Sequence, residues 1–213
     1  MSDLPVLYSF RRCPYAIRAR MTLGAANVNY EHREVLLRSK PKELVEVSAK
    51  ATVPVLVLEQ QVLDESIAIM KWALARHDPW GWLAPEAEQQ NRAEARVNTF
   101  EQRFKPNLDA YKYGATKTEE DRAKLTEARE HCEQILAQLS DDLQATGALQ
   151  GPRPGFTDVA IFPFIRQYAA VDSKRWQDLP FKSLRVWLDG WLHNPSFLNV
   201  MQKHALWESD GYS

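Results

Sequence analysis

The chain has 213 residues, 45% of them hydrophobic and 26% charged, with 27 Lys+Arg against 28 Asp+Glu for a net charge of −1. That balance fits a globular protein of one large or two small domains and excludes disordered, collagen-like and disulfide-scaffold chains. No segment concentrates the basic residues, and none of the 8 glycines falls in a GxGxxG or GxxxxGK pattern, so a nucleic-acid groove, a polybasic membrane patch and a phosphate-cradling loop are also excluded.

Met1-Ser2-Asp3-Leu4-Pro5 is acidic where a secretory signal is basic. Arg11-Arg12 follows the first apolar run instead of preceding it, unlike a twin-arginine signal. No stretch approaches the ~18 apolar residues of a membrane span. Two cysteines, Cys13 and Cys132, are too few for a disulfide framework, so the expected compartment is the cytoplasm.

Residues 5–10 (PVLYSF) predict a strand buried on both faces. Ile17, Met21, Gly24 and Val28 then recur at helical spacing and predict an amphipathic helix, with Pro14 at its first position and Cys13 as N-cap. Residues 29–35 read as a second strand and 41–47 as a short helix. The apolar runs 52–58 and 62–63, broken by Glu59-Gln60-Gln61, predict a β-hairpin. Asp64 is the expected N-cap of a helix over 65–77 that is apolar on two sides.

Asp78-Pro79-Trp80-Gly81-Trp82 is rich in helix breakers, and the remainder is helical in pattern. Leu125, Ala128, Cys132, Ile135, Leu139 and Leu143 keep a three/four spacing, which makes Cys132 a packing residue. Residues 147–155 read as a loop and 157–170, apolar nearly all round, as a central buried helix. Helices over 181–192 and 195–204 complete the pattern. The expected architecture is α/β plus all-α. A β-α-β-α-β-β-α domain occupies 1–77, a linker 78–87 and a helical bundle 88–213.

Three motifs carry chemistry. The first is Arg11-Arg12-Cys13-Pro14-Tyr15-Ala16. A thiol at a helix N-terminus meets unpaired N–H groups and the positive end of the helix dipole, which together lower its pKa. Taken alone, Cys13 also suits the part of a small buried hydrophobe. The second is Val53-Pro54: the residue before a proline is held extended, so Val53 can offer its N–H and C=O to a peptide-like ligand, although Pro54 equally suits the start of a strand. The third is Asp64-Glu65-Ser66, where a helix N-terminus with a hydroxyl binds a carboxylate and Glu65 an ammonium group. Plain helix capping explains this triplet as well. Together they match the chemical inventory of glutathione: a thiol, peptide bonds and a γ-glutamyl end.

The run Tyr8-Ser9-Phe10-Arg11-Arg12-Cys13-Pro14-Tyr15-Ala16, with Val53-Pro54 and Glu65-Ser66, resembles the thioredoxin-like domain of the glutathione S-transferase superfamily. It looks most like the cysteine-type, omega-like and related bacterial members. The resemblance implies Cys13 as the catalytic thiolate and Lys40, Val53, Pro54, Glu65 and Ser66 as glutathione-binding residues. Tyr8 and Ser9 stand where tyrosine-type and serine-type relatives activate the glutathione thiol, although a strand tyrosine is commonly core. Phe104, Tyr111 and Trp176 are aromatic residues of the second domain that could line an acceptor site, and core packing explains each of them as well. The two-domain glutaredoxins carry Cys-Pro-Tyr-Cys, and here Ala16 replaces the resolving thiol. The family also places Ser or Thr where Gly155 precedes Asp158, which puts the hydrogen-bond partners of Asp158 in question.

The function so implied is glutathione-dependent thiol transfer through Cys13. Glutathione conjugation to electrophiles and a non-catalytic adaptor are the alternatives. Glutathione is the expected co-substrate and a homodimer the expected assembly, with no nucleic-acid or membrane partner. The histidines show no ligand spacing, so no metal is expected.

Overall fold

Residues 4–209 are described by a computed structural model; the acidic Met1-Ser2-Asp3 lies outside the described residues. Strand β1 (Val6–Ser9) leads into α1 (Pro14–Ala25), followed by β2 (Glu31–Glu34), α2 (Lys42–Val47), β3 (Val55–Val57), β4 (Val62–Leu63) and α3 (Ser66–Leu74). The helical stretch contains α4 (Ala87–Tyr113), α5 (Glu119–Thr146), α6 (Phe156–Ala169), α7 (Ser173–Asp178), α8 (Lys182–Leu192) and α9 (Pro195–Val200). The thioredoxin-like order expected from the sequence is present, and the C-terminal region is helical.

The sheet has the order β2-β1-β3-β4, with β1 parallel to β2 and antiparallel to β3. β3 and β4 form the antiparallel hairpin. Side chains alternate across a strand, so β1 serves two cores. Leu7 packs with Leu56 of β3 and with Ala19, Leu23, Ile69 and Ala73 of the α1/α3 layer. Tyr8 packs with Val35, Leu44, Val53 and Val55, and Cys13 borders that second cluster.

By its contacts the chain divides into two units. One runs to Leu83 and takes in the described residues from His193 onward; the other is Ala84–Leu192. This differs from the sequence-based division, which left 193–213 with the helical bundle. The periodicity of 195–204 is helical only as far as Val200. Beyond it the chain turns back to the free edge of β2, where Leu206 forms a parallel bridge with Glu34 and the Trp207 N–H donates to Glu34 O at 2.8 Å. A second difference lies at α3. Asp64 is not its N-cap, because Glu65 is still extended (φ −116°, ψ 129°) and the helix opens at Ser66. Asp64 instead accepts a long 3.5 Å bond from Ser48 Oγ. The loop from α3 to α4 is ordered by Asp78, whose carboxylate accepts from the N–H groups of Trp82 and Leu83 at 3.0 and 2.8 Å.

In the second unit α4 packs on α5 and α6, and α8 on α5 and α6. Thr118 and Asp121 form a reciprocal capping box at the start of α5. Every residue from Phe156 to Ile165 of α6 is buried, and its start is held without the hydroxyl residue that Gly155 replaces. Asp158 accepts from the N–H groups of Leu149, Gln150 and Gly155 and from Trp187 Nε1, at 2.8 to 3.2 Å. Gln150 supplies the missing cap, its Oε1 accepting from the Thr157 N–H at 2.9 Å. Glycine at 155 makes room for it, since a Cβ there would lie 2.6 Å from Gln150 Cδ. Gly155→Ala is therefore expected to displace this cap at a cost of about 1 kcal/mol, as is Gln150→Ala. The double variant should be no less stable than either single one. Urea unfolding of the four proteins checks this.

Candidate active site

The Cys13 N–H closes a turn onto Phe10 O at 3.0 Å, and Pro14 begins α1, whose Ile17 N–H donates to Cys13 O at 2.9 Å. At this helix N-terminus the backbone N–H groups of Ala16 and Tyr15 point at Sγ. The thiol is 3.6 Å from Val53 O, to which it donates. The Val53–Pro54 peptide is cis. Among the described residues the Val53 N–H meets no acceptor, so the bend next to the sulfur keeps a donor for a ligand.

Two opposed effects act on the thiol. Burial pushes its pKa up; the N–H groups of Ala16 and Tyr15 and the charges of Arg20 and Arg18 pull it down without cancelling the burial. The net direction is up from the ordinary thiol value, against the lowering that the sequence predicts from the helix N-terminus alone. Spacing reveals the dipole but not how much water a folded neighbourhood excludes.

Ser66 Oγ accepts from Arg18 Nε and Nη2 at 3.0 and 2.8 Å, both residues being buried. With its lone pairs so used, the hydroxyl proton is left to donate to an anion at the start of α3. Glu65 is exposed and paired with Lys50. Lys40 is also exposed, just past the Leu36–Ser39 bridge. Thus Cys13 and Val53 are in contact and Ser66 is tied to the thiol's own helix through Arg18, while Glu65 and Lys40 stand at the surface.

Tyr8 and Ser9 are both buried and already bonded. The Tyr8 hydroxyl accepts from Arg33 Nη1 at 2.8 Å, and burial raises its pKa although Arg33 opposes this. Ser9 Oγ accepts from Arg20 Nη1. Phe104, Tyr111 and Trp176 lie in the second unit, buried around Tyr168 with ring centroids 5.9, 5.5 and 6.2 Å from it. Cys132 donates a long 3.9 Å contact to Phe104 O, and burial pushes its thiol up to about 12. Among the described residues no group of three or more His, Cys, Asp or Glu side chains is placed to hold a metal ion, and no helix is long and apolar enough to cross a membrane.

Sequence reasoning missed Arg18, Arg20 and Glu34. The signal for the arginines was two charges in a helix whose neighbouring positions, Ala16, Ile17, Ala19, Met21 and Leu23, are all buried apolar residues. Such charges must find fixed partners.

The sequence model of the family described as "Glutathione S-transferase, N-terminal domain" matches residues 7–81. A probable maleylacetoacetate isomerase of Caenorhabditis elegans is 39% identical over 75 residues, 34% of this chain and 35% of that protein. Mouse glutathione S-transferase omega-1 is 25% identical over 190 residues, 89% of this chain and 77% of that protein. The structure of a glutathione transferase family member from Pseudomonas fluorescens, with two glutathione bound, superposes with a TM-score of 0.80 at 19% identity, over 93% of this chain and 92% of that one.

In the folded protein a disulfide reagent is expected to titrate one thiol, Cys13. Because a raised pKa leaves that thiol protonated at neutral pH, its rate should climb about tenfold per pH unit towards the pKa. Cys132 should react only after unfolding in guanidinium. Thiol counts in the two states, with Cys13→Ala as the blank, test the assignment.

Proposed function

We propose that the chain, whose residues 7–81 match the glutathione S-transferase N-terminal domain, is a member of the glutathione S-transferase superfamily and a glutathione-dependent thiol transferase of the cysteine type. The observation that carries the proposal is the Cys13 sulfur at the start of α1, 3.6 Å from the Val53 carbonyl, with the Val53 N–H unpartnered among the described residues. Glutathione is a peptide, and its cysteinyl N–H and C=O are complementary to that Val53 backbone. The Ser66 hydroxyl and the first N–H groups of α3 suit its γ-glutamyl carboxylate, Glu65 its ammonium group, and Lys40 its glycine carboxylate.

In the proposed reaction the Cys13 thiolate attacks the glutathionyl sulfur of a mixed disulfide. That S–S bond breaks, the substrate leaves as a thiolate that takes up a proton, and Cys13 becomes bonded to glutathione. A second glutathione thiolate then attacks the glutathionyl sulfur, releasing oxidised glutathione and restoring the Cys13 thiolate. A pKa above the usual value leaves less thiolate but makes that thiolate a stronger nucleophile. Ala16 provides no second thiol, so the resolving sulfur comes from glutathione. Both cysteines are unpaired, in keeping with the reducing cytoplasm, where the superfamily resemblance points to a homodimer.

Glutathione conjugation is the second reading, and it does not need Cys13 to form a bond. Intact mass after exposure to oxidised glutathione is expected to rise by one glutathionyl group in the wild type and not in Cys13→Ala. Cys13→Ser should lose disulfide reductase activity by about two orders of magnitude or more, and conjugation to an aryl halide should persist. Reductase activity that survives Cys13→Ser rules out the exchange mechanism. Failure of the wild type to bind glutathione resin would instead favour an adaptor.

A further inference from the structure

Arg11 stands two residues before the thiol, and its backbone is gripped from both sides. Its N–H donates to Glu34 Oε1 at 2.7 Å, and its C=O accepts from Arg20 Nη2 at 2.8 Å. Arg20, only 1% exposed, also donates to Ser9 Oγ and, at 3.4 Å, to Phe10 O. One guanidinium therefore holds three consecutive residues of the segment that delivers Cys13. Among the described residues no carboxylate lies within ion-pair distance of Arg20, so its contacts are all to neutral oxygens. A buried cation so placed is costly unless an anion forms nearby. The Glu34 carboxylate already favours the Arg20 charge from a distance, and the Cys13 thiolate is a further anion the site can form; the thiolate and Arg20 favour each other's charged forms.

The same two residues also hold the C-terminal segment. Arg20 Nε donates to Val200 O at 3.2 Å. Glu34 takes the Trp207 N–H on its backbone oxygen, and its side chain lies 3.0 Å from His32 Nε2. The His204 ring stacks on His32 at 3.9 Å between centroids. Trp207 meets the Tyr8 ring edge-on and has the Arg33 guanidinium 4.3 Å from its ring centroid. Tyr8, Tyr30, His32, Arg33 and His204, with the charges of Arg11 and Arg18, also surround the clamp.

We propose that Arg20 and Glu34 are positioning residues for the Cys13 thiol, and that residues 200–207 form a strap that keeps both in place, so that the C-terminal segment tunes the reactivity of the thiol. The inference rests on the reading of Cys13 as the reacting group.

The test is the rate of Cys13 alkylation by iodoacetamide against pH, read by intact mass on the full chain. Arg20→Met is expected to move the midpoint up by about one pH unit and to slow alkylation at neutral pH about tenfold. Arg20→Lys, which keeps the charge, should recover most of that shift, as a purely structural role would not require. Glu34→Ala, which frees the Arg11 N–H, should slow alkylation in the same direction. Trp207→Ala loosens the strap at a half-buried position and should raise the midpoint by a smaller amount. If Arg20→Met and Trp207→Ala are folded by circular dichroism and keep the wild-type rate and midpoint, the proposal is overturned. If Arg20→Met does not fold, an unchanged midpoint in Trp207→Ala overturns it alone. A wild-type Cys13 that neither alkylates nor takes up glutathione overturns the reading of Cys13 instead.

Discussion

Cys13 sits at the mouth of a helix, where backbone N–H groups favour an anion, and against Val53, Phe10 and their neighbours, which keep water away. The two influences oppose each other, and the surrounding architecture can be understood through that opposition. Arg18 and Arg20 place two positive charges inside α1 without presenting either to solvent. One orients the Ser66 hydroxyl, and the other braces the turn that carries the sulfur. Screening by salt is weak at such depth, so these charges act steadily where exposed arginines would be attenuated. Burial leaves less thiolate at neutral pH, each thiolate being a stronger nucleophile, and the N–H groups and arginines recover part of the loss.

Much of this was legible in the amino-acid order. The alternation of short apolar runs with helical spacing located every strand and helix of the first unit, because each local pattern agrees with the packing around it. Val53-Pro54 and Cys13-Pro14 were readable as motifs because proline restricts its own and its neighbour's backbone in ways that spacing alone reveals. What was not legible depended on tertiary enclosure. The spacing of Ile17, Met21, Gly24 and Val28 suggested an amphipathic helix and said nothing of Arg18 or Arg20. In the fold α3 and α9 pack on α1, and Leu7 and Leu56 of the sheet meet Ala19 and Leu23, so every residue from Ala16 to Leu23 is buried. Enclosure is also the source of the burial that pushes the Cys13 pKa up, an influence that spacing does not reveal.

Substitution at 155 shows how a local rule is met by a non-local solution. A capping hydroxyl is absent, yet the orphan N–H of Thr157 is satisfied by Gln150, reaching across the loop into the space a side chain at 155 would fill. Asp158 binds the remaining donors and the Trp187 indole, so one carboxylate joins α6 to α8 and to the preceding loop. Here the requirement for buried donors to be paired is conserved in its physics while the residue that meets it changes.

Because Val200 to Trp207 closes against α1 and β2, the first unit is built from two stretches of chain with the whole of Ala84–Leu192 translated between them. At roughly 5–20 residues per second, a nascent polypeptide waits several seconds on the ribosome with the outer flank of β2 unpaired. An unpaired flank of that kind invites strands from other chains. Until residues 200–207 have been made and have folded back, that flank of β2 lacks the cover that Leu206 and Trp207 give it in the fold.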